Sequence, residues 1–414
     1  MSPTFRALQV RNYRLYSLGQ TLSNTGTWMQ RLAQDWLVLS LTGGSGVALG
    51  ITTGLQFLPF LLFGLWGGVI ADRFSRRRVL VVAQLLAGVL AAGLGVLALT
   101  DTATVGLVYG FAFALGVVGA FDTPARQAFV GDLVERDDLT NAVALNSASF
   151  QLGRIVGPAV GGLLIAAFGG TAEVFFINAG TYLVAVAALV AIRGAELRPL
   201  KHHELVTLRQ GLAYLRGRAD LVMVLVLVAA VGTFGLNFQL YIAMMSRQEF
   251  GRGAAAFGAL STILALGSLA GSLLAARRGA TSVAFVLTAA AAFGAAEVLV
   301  ALMPTYATFG LLLPLAGLTA LTFVTAAQSY VQLHSARWVR GRVMGVYTLM
   351  FMGGTPVGAP IIGWLSEQFG PRSAMILGGS LVIVSASALT LLVRRRPLID
   401  EPISIPAAEP ATAR

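Results

Sequence analysis

Five side chains in the first long apolar stretch, Gln20, Asn24, Trp28, Arg31 and Asp35, fall on one face, within about 80° of one another at a helical 100° per residue. A stripe holding a carboxylate, a guanidinium and two amides cannot meet hydrocarbon cheaply, so it must line a protein interior or an aqueous cavity. A carboxylate in a partly dry cavity can bind a proton near physiological pH, and a polar or cationic molecule can displace that proton. Asp35 is therefore the leading candidate proton carrier. Arg31, four residues earlier, favours the charged form, so a static Arg31–Asp35 pair that merely satisfies both groups is the competing expectation. Arg154 either serves the same cavity or neutralises a carboxylate of the first stretch, and Glu297, mid-way through a later apolar stretch, is expected to be structural or lipid-adjacent rather than coupling. A second cluster sets one acid, Asp72, among Arg73, Arg76, Arg77 and Arg78 immediately after an apolar run from Gly46 to Ala71.

The elements that position these residues must be membrane helices. Hydrophobic residues make up 56% of the 414 and charged residues 11%, against about 25% charged in soluble domains. The net charge of +11 could suggest nucleic acid, but the basic residues collect between apolar segments rather than on one amphipathic face, so no nucleic-acid partner is expected. All but one of the 29 basic residues are arginine, the exception being Lys201. The absence of cysteine leaves neither a disulfide framework nor a thiol metal site, and Met1 to Val10 lacks the apolar core of a signal peptide.

Apolar runs long enough to cross a bilayer number twelve: 15–40, 46–71, 79–99, 104–121, 143–168, 172–192, 220–244, 255–276, 281–302, 307–330, 343–365 and 373–393. With both termini in the cytoplasm, the Arg73–Arg78 cluster, Arg126, Arg136 and most other arginines fall on the retained, basic side, and only Arg247, Arg252 and Arg372 fall outside. Between the sixth and seventh runs lies a polar linker with Lys201, His202, His203 and Glu204, followed by leucines at 205, 208, 212 and 215 that predict an amphipathic surface helix. The adjacent histidines lack a third ligand, so no metal and no cofactor are expected. A shift of 201 residues pairs Phe150 with Phe351, Gly153 with Gly354, Val156 with Val357, Gly157 with Gly358, Gly162 with Gly363 and Gly169 with Gly370, and also Gln127 with Gln328. This predicts a parallel six-helix repeat with a site between the halves. The expected division is an amino-terminal bundle over 1–193, a linker over 194–218, a second bundle over 219–396 and a disordered proline-bearing tail over 397–414.

The run Gly68-Val69-Ile70-Ala71-Asp72-Arg73-Phe74-Ser75-Arg76-Arg77 resembles the loop between helices 2 and 3 of the major facilitator superfamily, with serine at position 75 where glycine is usual. The segment Gly153-Arg154-Ile155-Val156-Gly157-Pro158-Ala159-Val160-Gly161-Gly162 is similar to the antiporter motif of the family's exporters, with Ala144 replacing an upstream glycine. Finer likeness, in Phe121 to Val130, Asn141 to Asn146 and Gln30 to Trp36, is to the macrolide-efflux and enterobactin-exporter branch. The resemblance implies an all-α polytopic membrane fold of twelve helices in two bundles. It implies a latch in which Asp72 meets the amino end of helix 11 and Arg76 pairs with Asp122, with Gly68, Arg73 and Arg77 in the same loop. It implies that helices 1, 4, 7 and 10 line the cavity, making Tyr109, Phe113, Asn237, Tyr241, Thr322 and Gln328 substrate contacts beside Gln20, Asn24 and Trp28. Close packing of Gly157 and Gly161 against the opposite half is expected to seal the molecule.

The function these features lead to is export of an amphipathic small molecule, a drug, antibiotic, biosynthetic product or siderophore, in exchange for protons, by a monomer in the inner membrane. The alternatives are proton-coupled or facilitated uptake of a metabolite, and a receptor or membrane enzyme. No phosphate-binding loop is present to drive transport by ATP hydrolysis, and no close pairing of nucleophile and base supports an enzyme.

Overall fold

In the computed structural model, residues 3–197, 208–276, 281–336 and 338–395 are described; Lys201 to Leu205, and the tail after Arg395, lie outside them. The described residues form helices and turns, with no strand among them. Twelve long helices follow one another: α1 (Arg11–Leu41), α2 (Gly46–Arg73), α3 (Arg76–Leu99), α4 (Val105–Leu133), α5 (Arg136–Phe168), α6 (Ala172–Ala191), α7 (Ala219–Glu249), α8 (Ala254–Ala276), α9 (Val283–Ala301), α10 (Tyr306–His334), α11 (Arg340–Phe369) and α12 (Pro371–Arg395). Among the described residues, eleven of these are apolar enough to cross a membrane; α1, with its polar stripe, is not, although its 31 residues span about 46 Å.

Several helices outrun the apolar runs that predict them. Arg126, expected in a loop at the basic end, lies inside α4, and Arg136 is the first residue of α5. Hydropathy marks where side chains turn polar, whereas the helix continues wherever those polar groups find partners, as they do here. The linker contributes a short helix, Leu208–Arg216, in which Leu215 is buried and Leu212 exposed. Tyr214 packs edge-on to Trp338 at 5.9 Å, and Arg218 donates to the His334 carbonyl at 2.9 Å, so the helix is fastened to the α10–α11 turn.

Helix α7 is interrupted. A π-turn at Val231–Gly235 and non-helical Leu236 and Asn237 separate its two α-helical pieces. The distortion coincides with close approach from two sides. A Cβ on Gly354 of α11 would stand 2.7 Å from Thr233 N, and one on Gly235 would stand 2.6 Å from the Phe293 ring of α9.

The repeat inferred from the 201-residue shift appears in the packing. Gly157 of α5 lies against Thr25 and Trp28 of α1, while its partner Gly358 of α11 lies against Thr233 of α7. Gly169 and Gly370, also repeat partners, both follow the ends of their helices at positive φ, 75° and 85°. Across the halves, Gly258 of α8 meets the Pro158 carbonyl of α5, and Gly50 of α2 meets the carbonyl of the repeat partner, Ala359 of α11. A Cβ on Gly162 would stand 2.6 Å from Ala254 O, and one on Gly46 would stand 2.5 Å from Gly363 O. These contacts correct one expectation: Gly153, Gly157 and Gly161 pack on α1 of their own half, and Pro158 with Gly162 faces the other half. Positions 157 and 162 lie on different faces of one helix, which the motif alone does not assign.

The α2–α11 seam runs only part of the way. It extends from Gly46 and Gly363 through Gly54 and Pro356 to Leu61 and Gly353. Further along the same faces, toward the Arg73–Arg78 end, Gly64, Gly68, Gly345 and Gly341 have open space where a side chain would stand. Along α2 and α11 the halves are thus zipped at the end away from the basic cluster, and these glycines of the two helices are out of contact toward the basic end. Replacing Gly50 or Gly258 with leucine should force the zipped end apart, seen as a longer spin-label distance across it, whereas Gly64→Leu should leave that distance unchanged.

Candidate functional site

A connected polar network occupies the amino-terminal half between α1, α3, α4 and α5. Gln20 donates to Asn24 at 3.1 Å, and Asn24 donates to Ser149 at 3.3 Å. Arg126 donates to Asn24 Oδ1 at 2.8 Å and forms an ion pair with Asp122. Gln84 donates to Asp122 at 3.1 Å and accepts from Ser23 at 2.9 Å. Each partner satisfies another in an interior where an unpaired polar group would be costly. Arg126 and Gln84 are absent from the candidates read from the sequence; an i,i+4 Asp-Arg pair beside an apolar run was the available signal.

The Arg76 pairing differs from the expected one. Its guanidinium bonds Asp132 at 2.5 Å, with Asp72 at 3.9 Å, and Asp122 belongs to the network above. The cause is helix length: α4 extends to Leu133, so the acid at its basic end is Asp132, about 15 Å beyond Asp122 along the axis. Arg77 donates to the Leu189 and Val190 carbonyls at 2.7 Å each, capping the end of α6 where the helix dipole favours a cation. Asp72 and Arg73 are exposed, and Gly68 faces open space.

Above the network, aromatic and cationic groups alternate. Arg31 lies 5.0 Å from the Trp28 ring and 5.6 Å from the Phe57 ring of α2, while Trp28 packs edge-on to Phe150 of α5 at 5.7 Å. Helical side chains lean toward the amino terminus, which turns Arg31 back onto Trp28 rather than forward to Asp35. The static Arg31–Asp35 bridge is accordingly not formed among the described residues. Asp35, 3% exposed, sits six residues from the zipped end of α1. Arg154, one turn from Phe150, donates across the halves to Ser268 Oγ of α8 at 2.6 Å. A carboxylate partner for it is absent among the described residues, so of the two roles expected for it the neutralisation of an α1 carboxylate is not seen.

The substrate contacts proposed from helix identity divide. Asn237 is buried in the α7 break, donating to Thr233 O at 2.8 Å with its own oxygen unpartnered. Tyr241 is fully buried, its hydroxyl donating to Phe234 O at 2.9 Å, so it faces α12 and not the cavity. Its place one turn beyond the break rotates it away from the face that an unbroken helix would give it. Tyr109, Phe113 and Thr322 are partly buried, Thr322 returning its hydroxyl to Leu318 O at 2.8 Å, and Gln328 is exposed.

At the zipped end the closure is polar as well as backbone-to-backbone. Glu367 of α11 accepts from Ser45 Oγ at 2.7 Å and Val47 N at 3.1 Å at the start of α2. Gln248 donates to Gly44 O at 2.8 Å, and Arg247 lies 5.2 Å from the Trp36 ring. Every one of these joins the two halves.

The sequence profile of a family described as "Transmembrane secretion effector" matches residues 2–410. The chain is similar to the staphyloferrin A transporter of Staphylococcus aureus, 25% identical over 373 residues, covering 87% of this chain and 91% of that protein. It is also similar to the enterobactin exporter EntS of Shigella boydii, 26% identical over 418 residues, covering 98% and 96%. Among solved structures, a bacterial homolog of the human lysosomal transporter Spinster, in an inward-facing and unoccupied conformation, superposes with a TM-score of 0.73 at 15% identity over 95% of this chain and 98% of that one. A D-xylose-proton symporter gives 0.70 at 14% identity, covering 91% and 96%.

A double-mutant cycle on thermal unfolding should give Arg76 and Asp132 a coupling of about 1–3 kcal/mol and leave Arg76 and Asp122 within about 0.5 kcal/mol of additivity. Glu367→Gln should loosen the zipped end, raising labelling of cysteines placed beside Ser45.

Proposed function

Because the chain belongs to the transmembrane secretion effector family and has the major facilitator fold, we propose that it exports a siderophore or similar polar secondary metabolite across the bacterial inner membrane in exchange for protons. Both termini are cytoplasmic in this reading, so the parted basic end faces the cytoplasm and the zipped end faces outward. The observation that supports it is a polar, charged network in the amino-terminal half together with seams between the halves at the end away from the basic cluster, which in this reading leaves the basic, cytoplasmic end as the entry for a compound made inside the cell. The printed names of the two relatives, one an exporter of enterobactin and the other a transporter of staphyloferrin A, supply the substrate class. Arg31 and Arg154 lie within the membrane without a carboxylate partner among the described residues, and siderophores offer oxygen acceptors that suit guanidinium groups.

Alternating access follows from the two ends. Opening outward requires the glycine seams and the Glu367 contact to part, and the basic end to close. Asp72 then meets the amino end of α11, where the helix dipole favours an anion. Asp35, near the outer end of α1, takes a proton from outside while that end is open, and returns it to the cytoplasmic side when substrate displaces it.

In everted vesicles, Asp35→Asn should abolish substrate-driven proton release while expression and insertion stay near normal; full proton release by the variant would overturn the assignment. Transport of a siderophore panel into everted vesicles tests direction, since a chain that only empties them is an importer. Asp72→Asn should slow turnover several-fold and leave equilibrium substrate binding within about threefold, because losing one charge-assisted contact shifts the state balance by roughly 1–3 kcal/mol without touching the substrate.

A further inference from the structure

Glu297 of α9 is 0% exposed, and neither carboxyl oxygen has a hydrogen-bond partner among the described residues. It faces α12, where a Cβ on Gly379 would stand 3.2 Å from Glu297 Cβ, so of the two roles expected for it, structural or lipid-adjacent, the lipid-adjacent one does not fit. The next turn of α9 carries Phe293, which packs edge-on to Phe238 at 5.8 Å and presses on Gly235 in the break of α7. The buried acid is thus one turn from the contact that α9 makes with the interruption of α7.

The ionisable groups around it are few. From α7, Tyr241 interacts with it electrostatically, and its hydroxyl is committed to Phe234 O. From α12, Arg372 is committed one helical turn beyond Glu297 to the Ala301 and Met303 carbonyls and to Glu249 at 2.8 Å. Between Arg372 and Arg394 α12 has no other ionisable residue, and α10 has none between Tyr306 and Tyr330. With no cation bonded to it among the described residues, an ionised carboxylate here would be a buried, unpaired charge, which proteins avoid by neutralising the group.

We propose that Glu297 is a second proton-binding site, occupied while the basic end is open, whose proton leaves only when the interrupted segment of α7 repacks. Release breaks the carboxylic O–H bond and passes the proton to water admitted between α7 and α9, and that same water solvates the carboxylate left behind. Protonation and the shape of α7 are therefore linked: the neutral acid fits the broken helix, and the charged one requires the interface to open. The inference rests on the proton-exchange reading only for the use made of this proton, not for its presence.

The chain has no cysteine, so spin labels can be placed freely, and Val82 and Leu333, 55% and 60% exposed near the basic end of each half, suit a Val82→Cys, Leu333→Cys pair. The test uses the full-length protein in lipid with Asp35→Asn as background, followed by infrared spectroscopy and label distance from neutral to alkaline pH. A protonated-carboxyl C=O band should be present at neutral pH, disappear on alkalinisation as the label distance changes, and be missing in Asp35→Asn, Glu297→Gln. In that double variant the distance should hold its neutral-pH value throughout. A band that survives Glu297→Gln, or an unchanged pH response, would overturn the proposal. Should the double variant not accumulate, lack of any protonated-carboxyl band in the single variant at neutral pH would overturn it equally. Substrate-driven proton release in everted vesicles reports separately on the transport reading.

Discussion

Backbone-to-backbone contact between the two halves is the constraint on which the rest depends. At Gly50 and Ala359, and again at Gly258 and Pro158, one helix rests on the carbonyl of another with no side chain between them. Small residues permit this approach in a membrane, where helices associate through packing rather than through exclusion of water. Carbonyls have no rotamers with which to accommodate a shift, so each seam is either formed or broken. The two seams lie on symmetry-related sides, and along α2 and α11 the close contact stops short of the basic end, where Gly64, Gly68, Gly341 and Gly345 meet nothing.

The interior then has to satisfy its charges without help from lipid. The amino-terminal half does so through a chain of partners, Ser23, Gln84, Asp122, Arg126, Asn24 and Ser149. Arg31 takes aromatic faces instead of a carboxylate. Such an arrangement leaves donors unmatched by acids, a charge pattern suited to an oxygen-rich guest. The carboxy-terminal half ties Asp220 to Arg218 and Tyr330 near its basic end, and elsewhere keeps a second buried acid, Glu297, without a hydrogen-bond partner among the described residues, close to a broken helix.

Much of this was legible from residue order. The twelve helices and the repeat follow from apolar length and from glycine spacing, because a bilayer fixes the length of a span and a close seam demands a small residue. Helix ends were less legible: α4 runs on to Leu133 because Asp122, Arg126 and Asp132 each find a partner, and partners are a tertiary fact. For the same reason Arg76 was matched with the wrong acid. Tyr241 was misplaced because a helical wheel assumes an unbroken helix, and the break in α7, where Gly354 and Phe293 approach closely, is a tertiary feature.

The short helix Leu208–Arg216 is pinned to the second half through Tyr214, Trp338 and Arg218, while Glu196, at the start of the linker, accepts from Asn12 of the first. Leu197 and Leu208 are consequently separated by ten residues in sequence and each lies on an anchored segment, so covalent geometry alone keeps them within roughly 40 Å of one another. That ceiling bounds any separation of the two anchored segments, whatever the substrate or the proton does.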